Sequence, residues 1–87
     1  MYKYAIVDLE TNGRANRVTE VAIIVYENGK IIHSYKSLVN PGGSIPSFIT
    51  SLTGITQEML VDQPSFKEIA EDVKESLEGC VFVAHNV

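Results

Sequence analysis

Two acidic side chains, Asp8 and Glu10, follow the apolar run 5–7 near the start of the 87-residue sequence. Residues i and i+2 of a β-strand project from the same face, so a strand here would hold both carboxylates together, with Cα atoms about 7 Å apart. Two carboxylate charges about 6 Å apart repel by about 3 kcal/mol at an effective dielectric constant near 20. A proton or a cation would stabilise such a pair, and hard oxygen ligands favour Mg²⁺ or Mn²⁺.

A D-x-E pair can also do no more than end a strand, with Asp8 capping a turn, and the pair alone leaves both interpretations open. Other polar residues have equally ordinary explanations. Glu20, inside an apolar run, is expected to face solvent or to cap a backbone group, and His33 is expected on the surface of a strand. Cys80 is expected to be a small, buried apolar side chain.

The composition indicates one small globular domain, because 45% of the residues are apolar and 21% are charged. The net charge of −4 is not that of a typical nucleic-acid binder, although an enzyme that holds phosphates through metal ions can keep an acidic centre. The single cysteine cannot form an internal disulfide, so we expect a cytoplasmic protein. We expect no signal peptide, and no apolar run is long enough to span a bilayer.

The elements that would position the acids are predicted from apolar periodicity. Residues 3–9, 18–26 and 31–39 are rich in β-branched and aromatic side chains and predict three strands. The dipeptide Asn28-Gly29 separates the second from the third and predicts a tight antiparallel hairpin. Residues 81–84 predict a fourth, apolar strand.

The chain between the third and fourth strands has helical signals. Residues 47–52 and 56–60 predict short helices, the second with Thr56 as its N-cap. Ser65, with Glu68 three residues later, predicts a capping box at the start of a longer helix that ends near Gly79. The predicted apolar face of that helix consists of Phe66, Ile69, Ala70, Val73 and Leu77.

The order of these elements predicts an α/β fold with a mixed sheet: three antiparallel strands, then a helix and a parallel strand. The helix provides the crossover that would allow the fourth strand to lie parallel to the first.

Short motifs follow one another along the chain, and they read V-D-L-E-T-N-G (7–13), V-T-E-V-A-I-I-V (18–25), L-V-N-P-G (38–42), L-T-G-I-T-Q-E-M-L (52–60), P-S-F (64–66) and V-F-V-A-H-N-V (81–87). In this order they resemble the N-terminal half of the DnaQ-like, or DEDD, family of 3′–5′ exonucleases, which includes proofreading subunits of bacterial replicative polymerases. The resemblance covers essentially the whole chain. Residues 38–86 are similar to bacterial exonuclease domains that can be fused to other nuclease or helicase modules.

The resemblance implies a ribonuclease H-like fold and hydrolysis of a 3′-terminal phosphodiester of DNA or RNA with two divalent ions, Mg²⁺ or Mn²⁺. It implies that Asp8 bridges both ions and that Glu10 binds the ion that activates water. The segment T-G-I-T (53–56) matches a substrate-side loop often written H-G-I-T, and H-N (85–86) begins a second motif, typically A-H-N-x-x-F-D. The substrate-binding residues implied in this way are Leu9 (through its backbone), Thr11, Thr53, His85 and Asn86.

The sequence ends at Val87, before the positions where the resemblance puts two further metal-binding acids and a general base. We therefore expect residues 1–87 to be the N-terminal part of an exonuclease domain, with a truncated fold and no activity alone. The implied partners are single-stranded 3′ ends of DNA or RNA and a polymerase, helicase or second nuclease module, with no membrane. The alternatives are a non-catalytic α/β interaction module and a fragment that completes its site with another chain.

Overall fold

The computed structural model describes residues 2–13 and 17–85. Its four strands form one sheet in the order β3-β2-β1-β4. The strands are β1 (Lys3–Thr11), β2 (Val18–Glu27), β3 (Lys30–Leu38) and β4 (Cys80–His85), and the helices are α1 (Ser47–Thr53), α2 (Gln57–Leu60) and α3 (Phe66–Leu77). All seven predicted elements are present, each within two residues of its expected bounds. None of the helices in the described part is long and apolar enough to cross a membrane.

The β2–β3 hairpin turns at the predicted dipeptide. Asn28 and Gly29 have φ values of 56° and 74°, and positive φ at both central residues is the geometry that matches the twist of the flanking strands. β2 pairs antiparallel with β1 as well as with β3, and β1 pairs parallel with β4. The predicted mixed sheet is therefore confirmed.

The α3 helix provides the crossover between β3 and β4. Ser65 Oγ accepts a hydrogen bond from Glu68 N at 3.3 Å, and Glu68 Oε1 accepts one from Ser65 N at 3.0 Å, so the predicted capping box is confirmed. Gly79, at a φ of 74°, turns the chain into β4. The helix packs on the face of the sheet that carries the buried residues Ala5, Val7, Val21, Ile23 and Val25. We call this the helix face.

The buried stripe of α3 differs from the predicted one. Ile69 is buried and Val73 and Leu77 pack against the core, as expected, but Phe66 and Ala70 are exposed. Ser76 is buried in their place. Its hydroxyl lies 3.1 Å from His33 Nε2 on β3 and donates to the Asp72 carbonyl oxygen at 2.9 Å. The His33–Ser76 hydrogen bond, in which the His33 tautomer sets donor and acceptor, joins the helix to the sheet.

The opposite face of the sheet carries the acidic pair, and we call it the acidic face. Strand alternation assigns to it Ile6, Asp8 and Glu10 of β1, Glu20, Ala22 and Ile24 of β2, Ser34, Lys36 and Leu38 of β3, and Val81 and Val83 of β4. The helices α1 and α2 lie between β3 and α3 in the chain. In α2, Thr56 is the N-cap, as predicted, and its hydroxyl accepts from Met59 N at 3.2 Å.

The β4 strand lies at one edge of the sheet and has a strongly apolar sequence. Val81, Phe82 and Val83 are 42%, 58% and 42% exposed, so apolar side chains on both faces of this strand remain accessible. Cys80, at its start, packs against the core with partial exposure and is a free thiol.

Candidate active site

The two acids project from the same face of β1, next to its C-terminal end. Asp8 is exposed and Glu10 is half-buried, while Ala5 and Val7 on the opposite face of the strand are in the core. The strand explains how the sequence tolerates two adjacent charges in an apolar segment, because alternation directs them away from α3. As predicted, the Asp8 and Glu10 side chains therefore project from the same face of the strand.

Two rows of side chains cross the acidic face from β1 to β3. In one row, Asp8 pairs with Ala22 and Ala22 pairs with Lys36. In the neighbouring row, Glu10 pairs with Glu20, which pairs with Leu38. Neighbouring strands lie about 4.8 Å apart, so Asp8 and Lys36 are separated by about 10 Å at their Cα atoms. Ala22, with only a methyl group, lies between them.

Glu20 is a third carboxylate that the sequence did not assign to this site. It lies directly opposite Glu10, and like charges at opposed positions of two strands destabilise the pairing. Lys36 offsets this repulsion, because its Nζ lies 3.7 Å from Glu20 Oε2. From the sequence, Glu20 is expected to face solvent or to cap a backbone group; the structure leaves 23% of its side chain exposed and gives it a side-chain partner, Lys36.

The segment T-G-I-T (53–56) lies beside these rows. Thr53, Gly54 and Ile55 line a depression of about 550 Å³ together with Glu20, Lys36, Ser37, Leu38 and Met59. Gly54 ends α1 in the left-handed conformation, at a φ of 79°. The Thr53 hydroxyl donates to the Ile49 carbonyl oxygen at 2.9 Å and accepts from Ile55 N at 3.2 Å, so it fixes the loop through local contacts.

The other predicted substrate residues are less closely grouped. The Leu9 side chain lies on the opposite side of β1 from the acids, and Thr11 Oγ1 accepts from Gly13 N at 3.4 Å, next to a bulge between Glu10 and Thr11. The backbone of His85 pairs with that of Asp8, so the end of β4 reaches the acidic pair. Asn86 lies outside the described residues.

The acids fit part of a divalent-ion site. Carboxylate oxygens are the hard ligands that Mg²⁺ and Mn²⁺ prefer, and Asp8 is accessible from solvent. Within residues 2–13 and 17–85, no group of three His, Cys, Asp or Glu side chains has a geometry that could hold a metal ion. Asp8 and Glu10 are therefore suited to contribute two ligands to a larger set.

The sequence and the fold both match known exonucleases. The profile of the RNase_T exonuclease family matches residues 5–87. The 3′-5′ exonuclease DinG of Bacillus subtilis (strain 168) is 37% identical over 89 residues, which cover 98% of this chain. The protein of the same name from Staphylococcus saprophyticus is 44% identical over 87 residues, which cover 97% of this chain. The chain spans 10% of the length of each of these relatives.

Solved structures show the same fold. Exonuclease X in complex with 5′ overhanging duplex DNA is 32% identical, with a TM-score of 0.76, over 95% of this chain and 48% of that one. A 3′-exonuclease studied for 3′-end specific recognition of a histone mRNA stem-loop is 20% identical, with a TM-score of 0.75, over 94% of this chain and 34% of that one. The α/β, ribonuclease H-like fold expected from the motifs is thus confirmed. The chain belongs to the DnaQ-like exonuclease family.

Proposed function

We propose that residues 1–87 are the N-terminal part of a 3′–5′ exonuclease domain, which hydrolyses the 3′-terminal phosphodiester of DNA or RNA with two divalent metal ions. The observation that carries the proposal is the pair Asp8 and Glu10, held on one face of β1 in a chain of an exonuclease family. Relatives named as 3′-5′ exonucleases support the direction of hydrolysis.

Asp8 and Glu10 are the residues that would hold the metal ions. When bound, such ions polarise the phosphoryl oxygen and lower the pKa of a coordinated water molecule. Asp8 is exposed, whereas Glu10 is half-buried. The remaining ligands and the general base would come from a part of the protein outside residues 1–87. The fact that the chain spans 48% of Exonuclease X supports this division.

The 3′-terminal nucleotide would lie against the end of β1 and the loop that follows α1. In this proposal the Leu9 backbone and Thr11 contact the terminal nucleotide, and Thr53, His85 and Asn86 contact it from the substrate side. The shared depression of Thr53, Gly54 and Glu20 supports the loop assignment. The Thr53 contact would use the position of the loop more than its hydroxyl, which already has two local partners.

The proposed activity can be tested in a chimeric protein. Residues 1–87 replace the matching segment of the Staphylococcus saprophyticus 3′-5′ exonuclease DinG, to which they are 44% identical. Single-stranded DNA and RNA carrying a label at the 3′ end are incubated with the chimera and Mn²⁺, and release of labelled mononucleotide is measured. Asp8→Ala should reduce release by about two orders of magnitude or more, because loss of a partner of a metal ligand alone costs about 10- to 100-fold.

The matched control is Glu71→Ala, which removes an exposed acid from α3. It should leave release unchanged. Equal losses in Asp8→Ala and Glu71→Ala would contradict the proposal. A folded chimera that releases no mononucleotide from either substrate would favour the non-catalytic interaction module instead.

A further inference from the structure

Lys36 is a cation in an acidic neighbourhood. The described strands carry three lysines, of which Lys3 and Lys30 both pair with Glu27 on the helix face. Lys36 alternates onto the acidic face, in the row of Asp8 and Ala22. It is therefore the one lysine or arginine that the described strands direct toward the side of the sheet where the proposed reaction takes place.

The ammonium group of Lys36 forms an ion pair with Glu20 and remains exposed to solvent. Its side chain is 72% exposed, while that of its partner Glu20 is 23% exposed. An exposed ion pair at 3.7 Å adds little stability by itself. Its geometric consequence is larger, because Glu20 anchors one side of the ammonium group and leaves its other hydrogen-bond donors accessible to an anion.

The ion pair with Glu20 also keeps the Lys36 ammonium group from pairing with Glu10, one of the proposed metal ligands. Glu20 lies between Lys36 and Glu10 on the sheet, since Glu10 pairs with Glu20 and Lys36 lies one row away. Glu10 forms no ion pair with any residue that the structure describes. Lys36 is thus kept close to the acids without neutralising Glu10.

The depression beside Lys36 has room for part of a nucleotide chain. It measures about 550 Å³, and the loop 53–55 forms its other side. Ala22 lies between Asp8 and Lys36 and carries only a methyl group, so no large side chain separates these two residues. A single strand whose terminal phosphodiester lies at Asp8 and Glu10 and whose terminal nucleotide contacts the loop 53–55 would have a phosphate within reach of this depression. Lysine and arginine side chains along the path of a single strand strengthen its binding through its phosphates, so a lysine beside the acids would favour this path.

We propose that Lys36 binds the phosphate backbone of the substrate next to the scissile bond, and that Glu20 is the positioning residue that holds Lys36 there. The proposal rests on the proposed function, and it adds a phosphate contact to the depression in which Thr53 meets the 3′-terminal nucleotide. The contact is made to phosphate, so it is independent of base identity.

The test measures both substrate binding and turnover. A fluorescent single-stranded octanucleotide of thymidines is titrated with the 87-residue chain at several salt concentrations, and the chimera described above provides kcat and KM. Lys36→Gln should weaken binding and raise KM by about two- to fivefold, the effect of one exposed charge contact. It should leave kcat unchanged and reduce the salt slope of log Kd by about 0.7, the value for one phosphate on a single strand.

Three variants separate a substrate contact from a general charge effect. Lys30→Gln removes an exposed lysine from the same strand and should change neither KM nor the slope. Lys36→Arg should restore binding. Glu20→Gln should raise KM, and its combination with Lys36→Gln should be no worse than Lys36→Gln alone, because the two residues act as one unit.

The outcomes distinguish the two proposals. If the wild-type chimera releases nucleotide but Lys36→Gln and Lys30→Gln have the same KM and the same salt slope, the proposed phosphate contact of Lys36 is wrong. The exonuclease proposal would then still stand. If Glu20→Gln lowers kcat while KM stays constant, the positioning role of Glu20 is wrong. If the wild-type chain binds no octanucleotide and the wild-type chimera releases none, both proposals fail.

Discussion

Replacing Thr19 by valine should stabilise the protein, although it removes a polar group from a β-strand. Thr19 is 0% exposed, and its Oγ1 has no hydrogen-bond partner among the described residues. A buried hydroxyl without a partner costs about 1–3 kcal/mol in proteins. Thr19→Val removes this cost, keeps the β-branched shape and places a methyl group in a position that is fully buried. We expect the free energy of unfolding to rise by about 1–2 kcal/mol.

The same substitution at Thr53 provides a matched control with the opposite sign. Thr53 Oγ1 donates to the Ile49 carbonyl oxygen and accepts from Ile55 N. Thr53→Val removes both bonds and leaves the amide of the buried Ile55 without that acceptor, so we expect a loss of about 1–2 kcal/mol. The two variants differ from wild type by the same atoms, so their difference reports only the environment of the hydroxyl.

Urea unfolding followed by far-UV circular dichroism measures both effects. With a slope of about 1 kcal/mol per molar urea, the midpoints of the two variants should lie about 1 M above and about 1 M below that of wild type. Unequal slopes among the three proteins would show that the unfolded or folded ensemble had changed. A Thr19→Val protein that is less stable than wild type, or a Thr53→Val protein that is equally stable, would refute the hydrogen-bond assignment at that residue.

Three further changes test the hairpin, the α3 cap and the β4 edge. In thermal melts, Gly29→Ala should lose about 1 kcal/mol because Gly29 has a φ of 74°, whereas Gly43→Ala, in open space without a positive φ, should lose none. Ser65→Ala should cost about 1 kcal/mol in urea unfolding at neutral pH. The Ser65 backbone N–H and, second, the Ser65 side chain hold the pKa of Glu68 below its ordinary value, so this contribution is present above the ordinary value and is lost in acid. Because Ser65→Ala keeps the backbone donor, wild type and variant should both lose stability in acid and most of the difference between them should remain. In sedimentation runs, we expect the chain to self-associate through the apolar edge strand β4, and Phe82→Lys should reduce this association because Phe82 is 58% exposed there. An unchanged association constant would contradict this expectation for β4.

The parts of the fold that depend on local chemistry were predictable from the sequence. Asn28-Gly29 fixed the β2–β3 turn, and the Ser65–Glu68 pair fixed the start of α3. Both signals act within four residues, so no knowledge of the rest of the chain is needed. The spacing of Asp8 and Glu10 likewise determined that the two side chains share a face.

The parts that depend on long-range register were not predictable. The pairing of Glu20 with Glu10 requires the β1–β2 register. Asn12-Gly13 follows β1, but β2 begins only at Val18, so this connection is longer than a two-residue hairpin loop and the dipeptide does not determine the register. The burial of Ser76 depends on His33, which is 43 positions away. Apolar periodicity therefore selected Phe66 and Ala70 for the buried face of α3, because it has no means of detecting a polar contact between elements. Lys36 was not singled out from the sequence for the same reason, since its place in the row of Asp8 and Ala22 depends on the register of three strands.

The most direct measurement of the central claim is a Mn²⁺ titration of the ¹⁵N-labelled chain followed by NMR. Paramagnetic broadening should begin at the amides around Asp8 and Glu10 and spread to Ala22 and Glu20 on β2, with weak affinity because two ligands form only part of a site. Asp8→Asn should abolish it. Asp72 and Glu75, which line a cavity on the helix face, provide an internal comparison and should broaden only at higher Mn²⁺. Broadening that begins at Asp72 and Glu75, or that persists in Asp8→Asn, would contradict the assignment of Asp8 and Glu10 as metal ligands.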